Sequence, residues 1–79
     1  MTPNAIIQMI IDKDTKRADV ARVYEEMLDG VPPFHELSRV NAAIIDRWSV
    51  SALKWIKARA WDIVQGRGSF VFGKWEKKA

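Results

Sequence analysis

Cysteine is absent from these 79 residues. No disulfide framework can staple the chain, no thiolate can hold zinc, and nothing requires an oxidising compartment. Histidine occurs once, at His35, so no two imidazoles stand at metal-binding spacing, and neither metal nor cofactor is expected. Long apolar runs are also missing. The strongest, AIIQMII at 5–11, is too short to span a bilayer and lacks the basic flank and small-residue cleavage site of an export signal. The expectation is a cytoplasmic protein with no membrane partner.

Motifs for chemistry are equally scarce. The chain has no glycine-rich phosphate loop between a strand and a helix and no nucleophile elbow. Its carboxylates are spread over outer helix faces and form no acid–base pair. His35 and Glu36 are adjacent, but neighbours on a helix diverge by about 100°. His35 reads as a solvated residue in the first turn of a helix. An enzyme is not expected.

What remains is an ordinary globular composition, 48% hydrophobic and 29% charged, in a chain with room for one domain and a barely sufficient core. The charge is unevenly distributed. Residues 1–46 carry five Lys/Arg against eight Asp/Glu, a balance of −3, whereas residues 47–79 carry eight against two, a balance of +6. That separation fits a polyanion-binding surface on the C-terminal part, or simply a dipolar domain with solvated lysines.

Periodicity predicts helices over about 3–12, 16–29, 33–47 and 50–65. Thr2 and Pro3 form a common helix start. The segment after them is apolar nearly all round, so it must be buried on the rest of the domain or against a second subunit. The next helix carries Val20, Val23, Tyr24, Met27 and Leu28 on one stripe, with Asp14 or Thr15 available as its cap. Gly30 is placed to end it in a left-handed conformation, and Pro32-Pro33 forbids its continuation. In the third, Phe34, Leu37, Val40, Ile44 and Trp48 line one face with Ile45 at its edge. Asn41 lies within that stripe and needs a hydrogen-bond partner, either tying the helix to a loop or fixing the pairing in a dimer.

The last helix, with Ser49 or Ser51 as its cap, raises the main functional question. Its expected buried stripe is Leu53, Ile56, Ala60, Ile63 and Val64, flanked by Val50 and Trp61. Trp55 then stands on the opposite face beside Ser51, Ala58, Arg59 and Asp62, with Lys54 and Lys57 to one side. Three explanations are open for an indole there. The tail folds back and covers it with Phe70, Phe72 or Trp75; or it anchors a protein interface, since Trp and Arg are enriched in hot spots; or it meets nucleic acid.

The tight junction between the third and fourth helices resembles helix-turn-helix spacing, although the turn glycine is missing and Asp62 would repel a phosphate backbone. A tryptophan among cations also suits base stacking. Beyond Gly66 the chain reads as extended, with Phe70 and Phe72 on one face of a short strand, Val71 on the other, and EKKA frayed. The expected architecture is therefore an all-α domain of three to four helices over 1–66, helix-turn-helix-like, with an extended basic-aromatic tail over 67–79. Its expected role is a non-enzymatic nucleic-acid-binding or regulatory module acting through Ser51, Lys54, Trp55, Ala58, Arg59, Arg67 and Lys74. The alternative is an adaptor, subunit or inhibitor that docks on a larger protein through the Trp55 face. A homodimer fits either.

Overall fold

Thr2 starts the first helix as expected, its hydroxyl accepting a hydrogen bond from the Ala5 amide at 3.2 Å. The computed structural model describes residues 2–30 and 34–78. Within them lie four helices, α1 (Pro3–Ile11), α2 (Arg17–Asp29), α3 (Phe34–Arg47) and α4 (Val50–Val64), followed by strands β1 (Gly68–Val71) and β2 (Lys74–Lys77). The fold is mainly helical, as the periodicity predicts. The roles assigned to Pro32, Pro33 and the Phe34 side chain lie outside the described residues.

The helices form a ring in the order α1, α3, α4, α2, with α2 against α4 and α1 against α3 as the principal pairings. Inside it Ile6, Ile10, Val20, Ala21, Tyr24, Val40, Ile44, Ile56 and Ala60 are fully enclosed. The first helix belongs to this core through Ile6 and Ile10, and of its isoleucines only Ile11 is well exposed. Burial of α1 therefore needs no second subunit. At nine residues α1 is too short to persist in isolation. Arg47, at the end of α3, reaches back to hold it, donating to the Ile10 carbonyl at 2.8 Å and the Lys13 carbonyl at 3.0 Å. These guanidinium bonds serve oxygens left open at a helix C-terminus and in the turn beyond it.

Asn41 finds its partner within the chain. The Tyr24 hydroxyl donates to its side-chain oxygen at 2.7 Å, tying α2 to α3. Burial pushes the Tyr24 phenol up to about 12, with the Asn41 hydrogen bond acting in the opposite direction.

Two local expectations are corrected. Neither Asp14 nor Thr15 caps α2: the helix starts after Lys16, whose amide donates to the Asp19 carboxylate at 3.1 Å. The Asp12 side chain is engaged in the preceding turn by the Asp14 amide at 3.0 Å. Gly30 is right-handed, with φ −81° and ψ −2°, because its amide continues the helical pattern to Glu26. The left-handed terminator is Gly66, φ 72°. There the Arg67 amide bonds to the Asp62 carbonyl at 2.8 Å and the Gly66 amide to Ile63 at 3.0 Å, the paired bonds of a Schellman ending to α4.

The tail is folded as an antiparallel hairpin with Phe70 opposite Trp75 and Gly68 opposite Lys77. Phe72 is in the turn with Gly73, not on a strand face with Phe70. Both turn residues have positive φ, 51° and 78°, as a two-residue hairpin turn twisted to match its strands requires. The expected fraying is also corrected for the described residues: Glu76 and Lys77 are in β2, and the Lys78 amide bonds to the Arg67 carbonyl at 2.8 Å.

Candidate nucleic-acid interface

Ser49 fixes where α4 begins, its hydroxyl accepting from the Ala52 amide at 3.1 Å. Which way the helix faces is set by Ala52, Ile56 and Ala60, all buried. These lie one turn apart on a single ridge, and two small side chains let α2 approach closely. The core-facing line is thus rotated toward Ala52 from the one expected. Leu53 and Ile63 are only half-buried. Val50, Trp61 and Val64, expected at or beside the core, are 53%, 50% and 39% exposed. Ala60 falls on the expected stripe and Ala52 does not, although its small volume is what permits close helix packing.

The free face of α4 accordingly carries Val50, Ser51, Lys54, Lys57, Ala58, Trp61 and Val64. Trp61 is the residue that sequence reasoning missed. Its indole stands one turn beyond Lys57 and two beyond Lys54, so cations and an open aromatic surface share one side of the helix. The signal that could have found it is the alternative alanine ridge.

Trp55 occupies an intermediate position. Phe70 comes against it, with ring centroids 5.8 Å apart and planes tilted by 54°. The indole nevertheless stays 37% exposed. Phe70 in turn meets Trp75 edge-on at 5.1 Å, and the Arg59 guanidinium lies 4.9 Å from the Trp75 ring centre. Gly68 makes this packing possible. A Cβ there would lie 2.7 Å from the Glu76 carbonyl and closer still to the Trp75 ring.

Asp62 joins the hairpin to the helix. Its carboxylate takes Arg59 at 3.1 Å and both Nε and Nη2 of Arg67, at 2.8 and 2.6 Å. Arg67 also donates to the Gln65 side-chain oxygen. One carboxylate shared by two guanidiniums leaves a net positive group, so Asp62 does not present an isolated repulsive charge. The same pairing means that Arg59 and Arg67 have structural duties, whereas Ser51, Lys54, Ala58 and Lys74 are exposed without a hydrogen bond or ion pair from their side chains among the described residues. Arg59 Nε is buried with no hydrogen-bond partner among the described residues.

The α3–α4 connection is two residues, Trp48 and Ser49, with the Arg47 guanidinium 4.3 Å from the Trp48 ring centre. That is tighter than the three to four residues usual in a helix-turn-helix.

Elsewhere, a groove of about 660 Å³ lies between α2 and the hairpin, floored by Met9, Val23, Ile63 and Phe70 and edged by Asp14, Asp19, Glu25 and Glu26. His35 is exposed on α3 and does not line it. Among the described residues no group of three or more His, Cys, Asp or Glu could hold a metal ion, and no helix is long and apolar enough to cross a membrane.

The geometry defines a small four-helix domain closed by a C-terminal hairpin, with one basic, aromatic helix face left open. No family model matches the chain, and no curated protein or solved structure matches it significantly.

Proposed function

We propose that this protein is a small non-enzymatic nucleic-acid-binding module whose contact surface is the free face of α4 together with the hairpin. The observation that carries the reading is the grouping of exposed Lys54, Lys57 and Trp61 on one helix face. The exposed hairpin lysines Lys74, Lys77 and Lys78 add to the charge of the same C-terminal region. Lysines reach phosphates, Ser51 can donate to a phosphate or base edge, and an open indole offers a stacking surface. Most carboxylates belong to the other half of the sequence, so attraction to a polyanion also orients the molecule.

The test is anisotropy titration of labelled duplex and single-stranded oligonucleotides across a salt series. Binding should weaken linearly in log–log form, with a slope of about −3 or steeper for four or more phosphate contacts. Trp61→Ala should keep the fold, since half of that indole already meets solvent, and should weaken binding about tenfold. Absence of binding at low salt would exclude the reading.

A second reading rests on the apolar character of the same face. Val50, Trp61 and Val64 form an exposed row suited to a protein contact. It is favoured if Trp61→Ala abolishes self-association or capture of a partner that survives nuclease treatment and high salt.

A further inference from the structure

Phe72 is fully exposed, at 101% of its reference area, and adopts φ 51° in the hairpin turn. Both properties work against it in the isolated chain. A left-handed conformation disfavours a bulky side chain, and the first position of such a turn prefers asparagine, aspartate or glycine. A phenyl group without packing partners returns nothing to the fold. The useful contact must lie outside the chain.

The hairpin's direction indicates where that contact falls. Arg67 is bound to Asp62, while Phe70 lies against Trp55. Seven helical residues rise about 10 Å and three strand residues span about the same, so β1 runs back along α4 towards its N-terminus. Two further residues bring the tip roughly level with the first turn of α4, where Ser51 and Lys54 are exposed. The residue after the turn is Lys74, paired in register with Val71, and it too is exposed.

We infer that Phe72 is a base-contacting wedge: when α4 and the hairpin lysines engage a phosphate backbone, the hairpin tip presents the phenyl ring to the nucleobases. The inference rests on the nucleic-acid reading above and adds to it the residue that touches bases. In a duplex the ring would enter at a base step from the minor groove and partly unstack it. On a single strand it would stack against a free base. The shared chemistry is an aromatic face offered to a nucleobase, and lysine supplies the attraction to the adjoining phosphates.

The experiment compares the full-length protein with Phe72→Asn and Phe72→Tyr on duplex and single-stranded probes containing 2-aminopurine. Asparagine suits the turn, so Phe72→Asn should melt at or above the wild-type temperature while binding about tenfold or more weakly. Its salt slope should be unchanged, because no cation has been removed. The tyrosine variant should stay within about threefold of wild type. Wild type should change 2-aminopurine emission and Phe72→Asn should not; the probe that responds distinguishes duplex from single strand.

Equal affinity of wild type and Phe72→Asn, with no emission change, would overturn the wedge while leaving the α4 reading intact. No binding by any of the three proteins would overturn both. Phe72-dependent binding to phosphatidylserine vesicles, without oligonucleotide binding, would reassign the tip to a lipid surface and overturn the proposal.

Discussion

Tyr24 and Phe72 show two opposite uses of an aromatic ring. Tyr24 is sealed in the core and donates its proton to Asn41. Its phenol is raised to about 12, against about 10 in an unfolded chain. The folded state therefore retains a proton that the unfolded state releases above pH 10. Stability is undiminished below that value, falls as pH rises, and loses on the order of 2 kcal/mol by about pH 12. Denaturant unfolding between pH 8 and 12 should reveal this decline, and Tyr24→Phe should flatten it. The same variant should cost about 1 kcal/mol at neutral pH, because the Asn41 oxygen loses its donor. Phe72 imposes a local penalty of about 1–3 kcal/mol through its backbone conformation, with no compensating contact among the described residues. Trp55 lies between these extremes, partly covered by Phe70 and partly open. Its dual environment could not be read from a helical wheel, which says which side of a helix a residue occupies but not what a later segment lays over it.

At the scale of elements, the helices were legible and the hairpin was not. Thr2, Ser49 and the apolar spacing of α2 and α3 mark their helices through local hydrogen bonding and periodic burial, which are written in the sequence. The facing of α4 depends on Ala60, which lies on the expected stripe, and on Ala52, which a hydrophobicity count treats as minor. The hairpin turn is Phe-Gly, without the asparagine or aspartate that would announce it. Its closure depends on tertiary contacts: Phe70 on Trp55, Trp75 near Arg59, and Asp62 between two arginines. Gly68→Ala tests that dependence. The added methyl meets the Glu76 carbonyl and the Trp75 ring, so the variant should lose about 1–3 kcal/mol and release Trp75. A red-shifted tryptophan emission with unchanged helical circular dichroism is the expected result, since the helical core does not include Trp75.

On the scale of the whole molecule, the sign separation between residues 1–46 and 47–79 is not a separation into independent parts. α1 packs on α3, α2 packs on α4, and Arg47 connects the end of α3 to the end of α1. The sequence could not choose between burial of α1 within the chain and burial against a second subunit, because an all-round apolar helix satisfies either. The enclosure of Ile6 and Ile10 accounts for it without a partner. Arg47→Ala should consequently lower the melting temperature by several degrees, as both carbonyls lose a charged donor.

The attachment of α1 also governs how the molecule comes apart. A nine-residue helix has almost no order of its own, so its amides can be shielded from solvent exchange only while the other three helices stand. Deuterium uptake at Ile10 therefore reads the docking of α1 directly, and Arg47→Ala should speed it relative to the middle of α2. Release of that helix would bare Ile6 and Ile10, the two isoleucines best suited to meet those of a neighbouring copy.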